Sequence, residues 1–224
     1  MPQQPSDRPD LRSLSLEALE AFVRELGERP FRAKQLFRWM HQKSARAFGD
    51  MTDLPKALRE RLEGQARLTT LEIDLAQRSS DGTVKYRFRT EDGAFIESVY
   101  MPEEDRQTLC VSSQVGCAMG CAFCRTATMG LVRHLTSGEI VEQVHRVNAE
   151  LLAAGLRGPR PLTNLVFMGM GEPLHNFENL KQALELLQHE DGPSFSHRHL
   201  TVSTSGLVPG IERLGAETEV KLAV

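Results

Sequence analysis

Outside residues 110–124 the chain has no cysteine; its four are Cys110, Cys117, Cys121 and Cys124 of 224 residues. A framework of disulfides spread over the fold is therefore excluded. Long apolar runs are also missing, which excludes a helical membrane span. The opening MPQQPSDRPDLRS is polar and proline-rich and lacks the apolar centre of a secretory signal; it reads as a disordered tail over residues 1–12. Charge of one sign is missing too. With 27 basic and 30 acidic residues the net charge is −3, so whole-chain charge does not argue for nucleic acid. What remains, 40% hydrophobic and 25% charged, predicts a cytoplasmic globular protein of one large or two small domains.

The present residues divide by texture. SLEALEAFVREL, PFRAKQLFRWMHQK and TDLPKALRERLEGQ have helical apolar spacing, with Ser15 and Asp53 as caps and Pro55 in a first turn. They define a helical module over 13–66. Within it, residues 29–46 carry six Lys/Arg and no acid, together with Phe31, Phe37 and Trp39. That segment is either an amphipathic helix with a wet basic side or a phosphate-facing surface. From 67 to 102 the chain alternates and turns at Asp81-Gly82 and Asp92-Gly93, which predicts an antiparallel β extension. RQTLCVSSQ reads as one further strand. After residue 124 helices and strands alternate: SGEIVEQVHRVNAELLAAG, NLVFM, FENLKQALELLQHE, HLTVSTS, PGIERLG and EVKLAV. The helix after the cysteines has one apolar stripe, Ile140, Val144, Val147 and Leu151. Repeated strand–helix units predict an α/β fold with a parallel sheet, whose functional groups collect at C-terminal strand ends. The last residues, LAV, fall at or inside a strand, so the fold is expected to be an incomplete one, truncated at its C-terminus.

Three cysteines in CAMGCAFC suit a loop wrapped around one soft-metal object. A structural zinc site wants four ligands, usually as two pairs. A [4Fe–4S] cluster held by three thiolates keeps one iron open. Unligated thiols are the third reading. MGMGEP follows the strand NLVFM; Gly169 and Gly171 would let a ligand approach the backbone, and Glu172 would meet an ammonium. VSTSG ends the next strand, with Ser203 or Ser205 able to bond a ribose or carboxylate. Arg125, Arg133 and His134 flank the loop and either meet phosphate or are solvated.

These motifs, in this order, resemble the radical S-adenosylmethionine enzymes, and among them the RlmN-type methyltransferases. FRAKQLFRWMHQK, MTDLPKALRERL, IESVYMPEEDRQTLCVSSQVGCAMGCAFCRTATMG, FMGMGEPLHNFENL and HLTVSTSGLVPGI carry the likeness. The resemblance implies a small N-terminal helical domain that accompanies RNA binding, then a partial (βα) radical-SAM barrel over 103–224. It implies a [4Fe–4S] cluster on Cys117, Cys121 and Cys124, and S-adenosylmethionine at Gly171, Glu172 and Ser203. It makes Glu97 a proton acceptor and Cys110 a thiol that resolves a covalent enzyme–RNA intermediate, and it implies a disulfide bond. The implied reaction methylates C2 of an adenosine in 23S rRNA and tRNA by way of a methyl-cysteine, which lies downstream in the family and has no candidate in this chain. A flavodoxin-like protein would donate electrons. This chain by itself is expected to be inactive. Two other readings stand beside it: the sister group that methylates C8 of the same adenosine, and a non-catalytic RNA-binding module with Cys110, Cys117, Cys121 and Cys124 around zinc.

Overall fold

The computed structural model describes residues 8–158 and 160–224. Three helices come first: α1 (Leu16–Glu25), α2 (Phe31–His41) and α3 (Lys56–Gln65). The Ser15 side chain accepts the Ala18 N–H and so starts α1. Leu19 and Val23 of α1 and Ala33, Leu36, Phe37 and Met40 of α2 are fully buried, whereas Phe31 is half exposed. The basic segment is thus amphipathic, and part of its charge is already matched: Lys34 and Arg38 both pair with Asp191, at 2.8 and 2.7 Å.

The strands are β1 (Glu72–Arg78), β2 (Val84–Arg89), β3 (Phe95–Pro102), β4 (Gln107–Cys110), β5 (Gln114–Gly116), β6 (Leu131–His134), β7 (Asn164–Phe167), β8 (Leu200–Ser203) and β9 (Lys221–Ala223). Helix α4 (Ser137–Ala153) precedes β7, α5 (Phe177–Gln188) precedes β8, and α6 (Val208–Glu217) precedes β9. Seven strands form one sheet in the order β1-β2-β3-β4-β7-β8-β9. The first four are antiparallel, and β4, β7, β8 and β9 run parallel. The meander and the βα units are therefore one surface, joined at β4. This is the α/β architecture expected, with the parallel part as an open (βα) sheet. Ile96, Ser98, Tyr100, Leu109, Leu165, Phe167, Leu200 and Val202 line its helix-covered face and are all buried.

RQTLCVSSQ is not one strand. It breaks after Cys110, and Val111–Ser113 cross to a separate two-stranded sheet of β5 and β6. The crossing is bonded elsewhere. Gln143 of α4 accepts the Ser112 N–H (2.9 Å), donates to the Ser112 carbonyl (2.9 Å) and accepts from the Ser98 hydroxyl (2.7 Å). The N–H groups of Ser113 and Gln114 both donate to the Met170 carbonyl.

The expected tail over 1–12 needs correction. Residues 1–7 lie outside the described residues, but 10–12 are buried. Asp10 accepts the N–H groups of Arg12 and Thr69, and Leu11–Ser13 form a 3-10 turn. Arg12 is fully buried; its guanidinium donates to the carbonyls of Thr69, Met40 and Ala45 and lies 3.1 Å from the Glu142 carboxylate. Three carbonyls and a carboxylate replace the water such a group loses, which polar composition does not reveal. Gly138 fits this contact: a Cβ there would stand 2.6 Å from the Ser13 hydroxyl and 2.7 Å from the Asp10 carboxylate.

Beside Arg12, the rings of His41 and His145 meet at 3.4 Å, and the Ser44 hydroxyl bonds the other nitrogen of His145. Burial, and then the Arg12 charge, hold both imidazoles well below the usual histidine range. Both are thus neutral when folded and protonate when unfolded. Their stabilisation is complete above about pH 6.5 and is lost as pH falls below it. Glu142, pushed up by burial, works in the opposite direction lower in the range. Urea unfolding at pH 7.5 and 5.5 should show a loss of about 2–3 kcal/mol at the lower pH. A flat profile would contradict neutral His41 and His145.

Candidate functional site

β-sheet partners carry side chains on the same face, and alternate residues of a strand share it. Val99 is registered with Cys110, Cys110 with Val166, and Val166 with Thr201. Glu97 and Ser203 lie two residues from Val99 and Thr201. Glu97, Cys110 and Ser203 therefore lie on one face of the sheet, opposite the helices. Glu97 is partly exposed and pairs with Lys85 at 3.1 Å. Cys110 is buried, and that burial pushes its thiol up to about 11.

The other residues gather at the strand ends. The cysteine loop joins β5 to β6, and its exit is fixed by the Cys117 N–H donating to the Gly130 carbonyl (3.0 Å). Cys117 is buried, its sulfur accepts the Met119 N–H at 3.5 Å, and Cys121 and Cys124 are partly exposed. Phe123, between the latter two, is 94% exposed. Among the described residues no three Cys, His, Asp or Glu side chains converge as a metal site, so the thiols share a loop without meeting at a point. The donor set still fits an iron–sulfur cluster. It is three soft sulfurs on one loop, with no carboxylate inside CAMGCAFC to favour a harder ion. All four cysteines are free, so the implied disulfide bond is not formed among them.

The glycines of MGMGEP also have a packing duty. Gly171 has φ +100°, and a Cβ on it would stand 2.5 Å from the Gln114 Cβ; one on Gly169 would stand 2.7 Å from the Ser112 hydroxyl. The space is taken by the chain's own 111–114 crossing. Glu172 is buried at 4% exposure, and its carboxylate accepts from the Leu174 N–H (3.1 Å), the Ser205 N–H (2.8 Å) and the Ser205 hydroxyl (3.0 Å). It is not a free acid at the surface. It ties the end of β7 to the end of β8, with lone-pair capacity left for one further donor. Ser205 is thereby committed, which leaves Ser203 the uncommitted hydroxyl of that segment.

Arg133 is also committed. It forks onto Asp92 (2.7 and 3.0 Å) and Glu139 (2.8 Å twice), and those bonds hold Asp92 well below the usual carboxylate range. It is therefore unavailable to phosphate. Sequence reasoning missed the residues that build this end of the fold. Gln143 clamps the crossing, Asn176 donates to the carbonyls of Ser113 and Leu135, and Gln114 accepts the Glu172 N–H. The SSQ triplet ahead of VGC was the one available signal.

Native-state alkylation at pH 8 separates these thiols. Cys121 and Cys124 should modify first, while Cys110, protonated and buried, should stay largely unmodified until denaturant is added. Fast alkylation of Cys110 in peptide maps would contradict its placement.

Residues 9–68 match the model of the ribosomal RNA large subunit methyltransferase N-terminal domain, and residues 111–220 that of the radical SAM superfamily. The chain is 65% identical, over all its 224 residues, to the dual-specificity RNA methyltransferase RlmN of Anaeromyxobacter sp. (strain Fw109-5), of which it covers 59%. It is 51% identical to the namesake of Geobacter sulfurreducens, with 96% of this chain and 57% of that one covered. A crystal structure of a radical SAM methyltransferase from Sphaerobacter thermophilus superposes with a TM-score of 0.89 at 46% identity, over 96% of this chain and 63% of that one. The chain thus spans about three fifths of the length of these relatives.

Proposed function

Because the chain belongs to the radical SAM superfamily, in the branch of the RlmN-type RNA methyltransferases, we propose that it supplies the helical module and the cofactor-binding half of an enzyme that methylates C2 of an adenosine in 23S rRNA and tRNA. One observation carries the reading. The strand register puts Glu97, Cys110 and Ser203 on one sheet face, and the 111–114 crossing that leaves that face packs against the Gly171-Glu172 turn and leads through β5 into the three-thiol loop.

In this reading Cys117, Cys121 and Cys124 hold a [4Fe–4S] cluster. When bound, the cluster supplies the electron that opens a radical route to C2, a carbon with no acidic proton. The Gly171 backbone and the Glu172 carboxylate hold the ammonium end of S-adenosylmethionine, and the Ser203 hydroxyl holds another of its polar groups. Glu172 is suited to this because its bonds to Leu174 and Ser205 fix its orientation before ligand arrives. Glu97 accepts the C2 proton; its partner Lys85 keeps the carboxylate in place on the open face. Cys110 would attack the sulfur of the downstream methyl-carrying cysteine once it is linked to RNA: a disulfide forms between the two cysteines, the carbon–sulfur bond breaks, and the released carbon takes a proton. Its burial keeps the thiol protonated and quiet at rest. The exposed loop around Phe123 and Met129 leaves the cluster side reachable by a flavodoxin-like electron donor.

The test is product analysis. Full-length protein with reductant and S-adenosylmethionine should convert the target adenosine in 23S rRNA and tRNA to 2-methyladenosine, read by nuclease digestion and mass spectrometry. Cys117→Ala and Glu97→Gln should lower the yield by two orders of magnitude or more, on the order of a lost essential acid–base group. 8-Methyladenosine as product would move the assignment to the sister group. A full-length, iron-loaded protein that methylates neither RNA would overturn the reading.

A further inference from the structure

The buried side chain of Gln114 lies between two exposed imidazoles. Its Nε2 is 2.9 Å from His134 Nδ1 and 3.4 Å from His175 Nδ1. Its Oε1 accepts the Glu172 N–H at 2.8 Å. That last bond fixes the amide. The oxygen must face the Glu172 backbone, so the NH2 group faces the rings. An NH2 group can only donate, and both Nδ1 atoms must therefore accept. It follows that both histidines carry their proton on Nε2, the ring nitrogen turned away from Gln114. The rings stand edge to face, 5.1 Å apart. Partial desolvation, and repulsion whenever His175 is protonated, hold His134 below the usual histidine range, which favours the neutral form that Gln114 requires.

We propose that His134 and His175, set by Gln114, form a neutral two-donor clasp that binds an anion, one N–H from each ring, at the rim of the site. Its position supports this. His134 ends β6, the strand returning from the cysteine loop, and His175 stands three residues after Glu172 on the short turn that leads into α5. Arg133, the neighbouring cation, is saturated by Asp92 and Glu139. An anion arriving here can take one fixed N–H group from each ring, without the strong nonspecific pull of a mobile cation. Two sources offer such an anion: a phosphodiester of the RNA and the carboxylate of S-adenosylmethionine. Naming them rests on the proposed function; the clasp itself does not.

Its test has two arms on the full-length protein. In the first, 15N NMR at pH 7.5 should show the Nε2–H tautomer for both His134 and His175, and titration with inorganic phosphate should shift those two nitrogens together. A Nδ1–H tautomer at either ring, or no phosphate response, overturns the clasp even if the enzyme methylates RNA. In the second, RNA and S-adenosylmethionine affinities are measured for His134→Leu, His175→Leu and the donor-retaining His134→Asn. Each leucine variant should weaken one ligand by about tenfold, the scale of a lost hydrogen bond to a charged group, and His134→Asn should recover part of it. Weakened RNA binding with unchanged S-adenosylmethionine binding assigns the phosphodiester, and the reverse assigns the carboxylate. Unchanged affinity for both overturns the proposal. A wild-type protein that binds neither ligand but passes the first arm would count against the proposed function and leave the clasp standing.

Discussion

Backbone that leaves a sheet while still buried must find partners for its N–H and C=O groups, and the Val111–Gln114 crossing is where this fold meets that constraint. Side chains and a loop take the place of a neighbouring strand. Gln143 serves both backbone groups of Ser112, and the Met170 carbonyl takes the N–H groups of Ser113 and Gln114. The Ser112 hydroxyl bridges the Glu97 carbonyl and the Met170 N–H. One four-residue stretch thus ties β3, β7 and α4 together. It also fixes Cys110 before it, the cysteine loop after it and the Gly171-Glu172 turn beside it. Without it these groups would belong to three independent loops.

A second constraint acts on α4. This helix is covered by the sheet on one side and by the helical module on the other. Glu139, Glu142, Gln143, His145 and Asn148 are buried along with its apolar stripe. Each has a job there: Glu139 holds Arg133, Glu142 faces Arg12, Gln143 holds the crossing, His145 meets His41, and Asn148 accepts the Leu162 N–H. Such a helix cannot be shifted without breaking polar contacts on both faces. The helical module and the sheet are therefore held in one arrangement by hydrogen bonds, not by apolar packing alone.

Much of this was legible in the residues. Helical spacing found α1 to α5 because each buries a stripe, and the Asp81-Gly82 and Asp92-Gly93 turns found the meander. The cysteine spacing and the Gly-Glu strand end pointed to the chemistry, and the resemblance supplied Glu97, whose own setting in an alternating strand marks it only as one of several charged residues. Illegible features came from tertiary contact. Periodicity gives α4 one buried face, whereas two elements cover it. Arg12 looks like part of a polar tail until Thr69, Met40, Ala45 and Glu142 surround it. A β-rich string such as RQTLCVSSQ cannot announce its own break, since the break is set by Gln143, some thirty residues later. Gly171 was read as letting a ligand approach the backbone; its positive φ and the nearness of Gln114 give it a packing requirement as well, which the motif alone does not show.

The central claim is that the loop carrying Cys117, Cys121 and Cys124 is a three-thiolate site with one iron left open to a ligand. Anaerobic iron and sulfide reconstitution, followed by EPR of the reduced protein with and without S-adenosylmethionine, tests it most directly. The account predicts about four irons per chain and a reduced-cluster signal that shifts when S-adenosylmethionine is added, with both lost in Cys121→Ala. A folded, colourless protein holding one tight zinc, or a cluster whose signal ignores S-adenosylmethionine, would contradict it.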